Sequence, residues 1–202
     1  MSTSRKDTGF LVYTAVLLLA LFVGAKVYTA VYFTALDDVV VTTVEVTPEL
    51  RWEVRENFET LSGPALAEKL KAATTSGKPV FLKMYASWCP HCRKTVPYFV
   101  DLKKQGYFDN AEVIFLAVDK KPEELVEYLA AHEYHKEFTP YVYRSEYEGD
   151  LRGVIQQYGL EFQGSIPYAA LIDANGQLLA ESLGDSVLTL SVAVQSLIPA
   201  AE

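Results

Sequence analysis

The chain has 202 residues, half of them hydrophobic and 22% charged, a size that suits one domain with an apolar appendage. Its formal charge of −8 is unevenly placed: residues 1–36 carry Arg5, Lys6 and Lys26 against Asp7, leaving 15 basic and 25 acidic residues beyond. A body that acidic excludes nucleic acid as a partner, because phosphate neutralisation needs clustered Lys and Arg. Two cysteines exclude a disulfide framework and leave one bridge, one redox pair or half a metal site.

In chain order, residues 1–9 form a short polar start. Phe10 to Leu36 then runs for 27 residues with one charge, Lys26, long enough for a transmembrane helix. The alternative is a cleaved signal peptide, with Phe10–Phe22 as its apolar region and Val23-Gly24-Ala25 as its small-residue site. The apolar character resumes after Lys26, which favours the anchor. Either way Arg5 and Lys6 stay cytoplasmic and Asp37 and Asp38 emerge, so the body is exported. Residues 37–61 read as a linker or an extra strand, with the β-branched run "VVVTTVEV" as a short strand or extended tether. The folded domain is expected over 62–202.

Within it, Ser62 caps a helix with Pro64 in its first turn, and Gly77 with Pro79 ends it. "VFLKMY" (80–85) predicts a buried strand, and a helix follows from Cys89 to about Gln105. "AEVIFLAVD" (111–119) predicts a second strand. Pro122, Glu123 and Glu124 open another helix, and a further helical pattern covers about 149–158. "PYAALID" (167–173), Asn175-Gly176 and "QLLAES" (177–182) form a hairpin signature, and "SVLTLSVAVQSLI" closes the chain at helical spacing. Alternating strands and helices ending in a hairpin predict a mixed α/β sheet with helices on both faces.

The chemistry sits in "YASWCPHCRK" (85–94). Cys89 falls at the start of a helix, where free amides and the helix dipole favour a thiolate. Cys92 lies one turn later on the same side, within bonding reach. Pro90 is tolerated because first-turn amides lack intrahelical partners, and Trp88 offers an apolar wall beside the sulfur. An inert stabilising disulfide is the bland alternative, but so short a loop gains little closure entropy. His91, when protonated, stabilises a Cys89 thiolate and makes the pair more oxidising.

"ASWCPHCRKTVP" and "GSIPYAALIDANGQLL" together resemble the thioredoxin superfamily over roughly residues 62–197. The resemblance implies a thioredoxin fold: a mixed central sheet with helices on both faces, a helix-and-strand insert, and the transmembrane helix ahead of it. It implies that Pro167, after Ile166, is cis and lies against the cysteine pair, and that Ile166 and Pro167 hold an extended substrate strand. Pro97 resembles the family's helix-kinking proline. The 75 positions from Cys92 to Pro167, the anchor and "WCPHCRKTVP" resemble the TlpA/ResA/CcmG group of exported thiol-disulfide oxidoreductases. The dipeptide Pro90-His91 resembles that of the DsbA oxidases, so reductase and oxidase both stand as readings. Cys89 is then the nucleophile and Cys92 the resolving thiol, with Trp88, Pro90, His91 and Lys83 tuning them. Protein thiols or disulfides are the implied substrates, a membrane-bound redox partner resets the pair, and no cofactor or metal is needed. The implied location is a bacterial inner membrane, with the domain facing the periplasm.

Lys83 stands where the family often carries a buried acid. A lysine at the strand edge with its amine in water is the cheaper expectation. Glu112, Asp119 and Glu161 are the other candidate acids. His132 and His135 match no common structural zinc spacing, and a solvated helix face is expected for them. A thioredoxin-fold copper metallochaperone is the rival of another class, since thiolates suit Cu(I). The aromatic-rich segment 133–149, with Tyr134, Phe138, Tyr141, Tyr143 and Tyr147, is expected to pack within the insert, with a partner surface as the alternative.

Overall fold

The computed structural model describes residues 41–144, 149–184, 190 and 193–194. The predicted membrane segment and most of the closing helical pattern lie outside the described residues. Among those described, no helix is long and apolar enough to cross a membrane. The strands are Glu59–Leu61 (β1), Val80–Tyr85 (β2), Glu112–Ala117 (β3), Pro140–Tyr143 (β4), Tyr168–Ile172 (β5) and Leu178–Leu183 (β6). The helices are Pro48–Glu56 (α1), Gly63–Thr75 (α2), Pro90–Lys104 (α3), Pro122–Ala131 (α4) and Gly149–Gln156 (α5), with a 3-10 turn at Tyr134–Lys136. The strands form one sheet in the order β1-β4-β3-β2-β5-β6.

Strands β1 to β4 run parallel to one another, whereas β5 is antiparallel to both β2 and β6. The period-2 alternation of a strand sends successive side chains to opposite faces. In β2, Phe81 and Tyr85 therefore join one apolar cluster while Val80, Leu82 and Met84 join the other. The first cluster packs Val54 of α1, Val96 and Phe99 of α3 and Leu125 of α4; the second packs Leu66 and Leu70 of α2 and Ile155 of α5. Helices thus cover both faces, as parallel strands require. Phe81 is the aromatic hub of the first layer, with ring centroids 4.8 Å from both Phe99 and Phe108.

Local signals hold where they were strong. The Ser62 hydroxyl accepts from the Ala65 amide at the start of α2. The Asn175-Gly176 turn closes the β5–β6 hairpin with Gly176 at φ 83°, a conformation that favours glycine. The linker or extra strand expected over 37–61 contains an unexpected helix: Thr47 caps α1, accepting from the Leu50 amide at 3.2 Å, while residues 41–46 have no helix or strand and Glu59–Leu61 forms a short strand paired with β4. Helix α1 docks on α4 through buried Val54 and the ion pairs Arg51–Glu127 and Arg55–Glu123. Within the aromatic-rich segment Pro140–Tyr143 is a sheet strand, and Phe138 stacks on Phe115 with centroids 4.1 Å apart. Tyr147 lies outside the described residues.

Candidate active site

Strand β2 delivers the chain to the site. Past Tyr85 it turns through Ala86, Ser87 and Trp88, and Cys89 caps α3, its Sγ accepting from the Cys92 amide at 3.2 Å. Pro90 occupies the first helical position, and Lys103 and Lys104 stand in the last turn, matching the helix dipole. Cys89 and Cys92 are joined in a disulfide with their Cα atoms 5.2 Å apart. Cys92 is 0% exposed and Cys89 4%, so Cys89 is the sulfur that a partner reaches first. Trp88 beside it is 57% exposed, and His91 is exposed on the first turn of α3. Pro97 lies inside α3, which continues through it to Lys104.

The Ile166–Pro167 peptide bond is cis, as expected. Pro167 is buried, and half-buried Ile166 packs against the cluster that contains both cysteines. The Pro167 carbonyl accepts from Gly184 beyond β6 at 2.9 Å, while Ile166 lies outside the β5 ladder.

Two groups that the sequence reading did not join hold the cysteine loop. Tyr85 of β2 is in register with Ala117 of β3, so two residues further on Ser87 faces Asp119. Both oxygens of Asp119 accept from the Ser87 amide at 3.1 Å, and Oδ1 also accepts from the Ser87 hydroxyl at 2.5 Å. Arg93 Nε donates to the Ser87 carbonyl at 2.7 Å, and Arg144 Nη1 to the Asp119 carbonyl at 2.7 Å. The sequence by itself offers Asp119 only as a candidate acid; the parallel neighbouring strands ending at Tyr85 and Ala117 are the signal that pairs it with Ser87. Burial pushes the Asp119 carboxyl above the usual carboxylate range, against the Ser87 hydrogen bonds that pull it down.

Asp119→Ala is expected to cost about 2 kcal/mol, because it strands a buried amide and hydroxyl; denaturant unfolding measures it. The folded carboxyl holds its proton to higher pH than the unfolded one. The stability contributed by this site is therefore complete below the ordinary Asp range and falls as pH rises through the folded pKa. Asp119→Asn removes that slope.

Lys83 corrects the sequence expectation. Strand β2 lies between β3 and β5, where Lys83 pairs with Phe115 and Ala169, so it is not at an edge. Its side chain is 0% exposed, its Nζ has no hydrogen-bond partner, and it lies 5.6 Å from the centre of the Phe99 ring. Desolvation holds its pKa well below the ordinary lysine value. His135 is corrected too: it is buried rather than solvated, and its Nε2 lies 3.2 Å from Glu53 Oε1. His132 Nδ1 lies 3.3 Å from the Thr42 carbonyl. Neither histidine is brought to the cysteines, and among the described residues no three His, Cys, Asp or Glu converge as metal ligands. Glu112 pairs with Lys69 at 3.1 Å, and Glu161 is exposed on the loop before Ile166.

A mixed sheet sandwiched by helices, a CxxC disulfide at a helix start and a cis Ile166–Pro167 bond just before β5 define a thioredoxin-like domain. The AhpC/TSA family model matches residues 54–180, and the chain belongs to that family. It is 44% identical over 52 residues to thioredoxin H3 of Arabidopsis thaliana, covering 26% of this chain and 41% of that protein. It is 25% identical over 118 residues to the thiol-disulfide oxidoreductase ResA of Bacillus anthracis, covering 58% of this chain and 62% of ResA. The chain thus spans less than two thirds of the length of these relatives. Among solved structures, it is similar to a thiol:disulfide interchange protein of the thioredoxin family from Chlorobium tepidum TLS. That match has a TM-score of 0.49 at 20% identity, over 65% of this chain and 83% of the other.

Proposed function

We propose that the chain is a thiol-disulfide oxidoreductase, exported and held at a bacterial inner membrane by residues 10–36, that exchanges its Cys89–Cys92 pair with protein substrates. The observation that carries this reading is the Cys89 sulfur at the cap of α3 with the Cys92 amide aimed at it. That amide and the helix dipole favour a Cys89 thiolate once the bond is reduced. The thiolate attacks one sulfur of a substrate disulfide and expels the other as a thiolate, which takes up a proton. Cys92 then attacks Cys89 and releases the second substrate thiol. Two electrons pass from the cysteine pair to the substrate, and no other cofactor takes part. Ile166, outside the β5 ladder and packed on the cysteine cluster, offers main chain for an extended substrate segment. The resemblance of "WCPHCRKTVP" and of the 75-position interval from Cys92 to Pro167 to the TlpA/ResA/CcmG group supports the reductive direction, as in general disulfide reduction or cytochrome c maturation, with a membrane-bound redox partner resetting the pair.

The exposed Pro90-His91 dipeptide favours a second reading, a disulfide-forming oxidase. The reduction potential against glutathione separates the two: about −270 mV matches a thioredoxin-type reductase and about −120 mV a DsbA-type oxidant. A pair that does not exchange with glutathione or with a protein disulfide overturns both. His91→Ala is expected to make the potential more negative, by roughly 30 mV for each unit that the Cys89 pKa rises. A charge beside the thiolate stabilises only the reduced form, so an unchanged potential removes His91 from the tuning set.

A further inference from the structure

Strands β2, β3 and β4 are parallel neighbours, so their C-terminal ends meet at the edge of the sheet that carries the disulfide. A cavity of about 370 Å³ opens there, walled by Val118, Asp119, Lys120, Arg144, Arg152 and Phe162, with Gly164 on its rim. Three cations thus gather in a chain whose formal charge is −8. The one carboxylate among the named walls, Asp119, turns both oxygens onto Ser87, two residues before Cys89. Main-chain carbonyls hold both guanidinium groups: Arg144 donates to Asp119 and Arg152 Nη2 to Gln163 at 3.3 Å. A bond to one carbonyl uses part of the fork of N–H donors that each guanidinium carries. Gly164 lies beside the Arg152 guanidinium: a Cβ there would sit 3.7 Å from Nη2, an ordinary contact distance. The loop that carries Gln163 and Gly164 leads directly to Ile166 and Pro167.

We propose that this cavity is a carboxylate subsite, which receives an acidic side chain near the cysteine of a protein substrate while the sulfurs exchange. Planar guanidinium forks match the two oxygens of a carboxylate, and Val118 and Phe162 supply apolar wall for the methylene stem. The subsite rests on the oxidoreductase reading and deepens it by naming a substrate class: proteins with Asp or Glu close to the reacting cysteine. The site also works against the bulk charge of the domain, which by itself repels such substrates.

The test uses the reduced full chain and two disulfide-linked peptides of matched potential, identical except for Glu or Gln two residues from the cysteine. The second-order rate of exchange is expected to favour the Glu peptide by about two- to fivefold at low salt, the range of one partly exposed ion pair, and to approach parity as salt rises. Arg152→Gln is expected to bring the ratio to about one, Arg152→Lys to preserve a preference, and Arg152→Glu to reverse it. Lys71→Gln, an exposed cation of α2, controls for net charge and is expected to keep the ratio. Equal rates for the two peptides in the wild type, or a ratio unmoved by Arg152→Gln, overturn the subsite while leaving the oxidoreductase reading intact. Failure of both peptides to react overturns that reading and the subsite with it. If glutathione disulfide alone shows the Arg152 dependence, the carboxylate comes from a small molecule and the assignment to protein side chains fails.

Discussion

Cys89→Ser is expected to lower exchange with a protein disulfide by at least about 10³-fold, whereas Cys92→Ser is expected to stall after the first step. The asymmetry follows from position. Cys89 keeps 4% exposure at the cap of α3, with an amide aimed at its sulfur, while Cys92 is 0% exposed. A serine hydroxyl at position 89 stays protonated at neutral pH and is no nucleophile for sulfur. With serine at position 92 the attack proceeds, but nothing resolves the adduct, and a mixed disulfide through Cys89 accumulates. Mass spectrometry of the trapped species reads the site directly, and alkylation of the reduced wild type is expected to label Cys89 well before Cys92. An adduct through Cys92, or preferential labelling of Cys92, reverses the assignment.

Lys83→Met is expected to raise stability near neutral pH by about 3 kcal/mol, the upper end for removing a buried polar group without a partner. Methionine fills nearly the same volume with no donor to satisfy. In the unfolded chain Lys83 carries a proton below the ordinary lysine pKa, whereas burial in the fold disfavours that proton. Protons therefore pull this site toward unfolding. Its penalty lessens as pH rises from the folded pKa toward about 10.4 and is gone above it. The wild type is expected to gain stability through that window, and Lys83→Met to lose the slope. Chemical denaturation across pH measures both. A destabilised variant means that the amine has a partner in solution.

The elements that were legible carried their own punctuation: Ser62, Pro64 and Gly77 around α2, the apolar runs of β2 and β3, and Asn175-Gly176 in the hairpin. Helix α1 carried it too, as Thr47-Pro48-Glu49, but the β-branched residues just before it drew the reading toward an extended tether. Strand β4 was hidden because Pro140 opens it and aromatic residues surround it, so it reads as packing and not as a ladder. The cysteine pair and the cis-proline stood in local motifs. Asp119 lies in no motif, and the motif that contains Arg93 names no partner for it; pairing across parallel strands and one helical turn bring them to Ser87. Lys83 misled because the cost of a buried charge was weighed, while a buried amine can give up its proton instead. His135 misled because its i, i+3 spacing from His132 presumes one helix. In fact α4 ends at Ala131, and Glu133 takes a left-handed φ of 54°, which turns His135 inward.

Strand order also sets a timetable for the newly made chain. Strand β2 lies between β3 and β5, and β5 ends at Ile172, 80 residues after Cys92. At ribosomal speeds the two thiols exist for roughly 4–16 s before the strand that pairs with β2 on that side has been made. During that interval the cluster that holds the pair is not yet closed by β5 and the Ile166 side chain that packs on it. The pair is a bare dithiol, open to any oxidant or neighbouring thiol that it meets. The chain therefore acquires its reactive group early and the structure that selects its partners late.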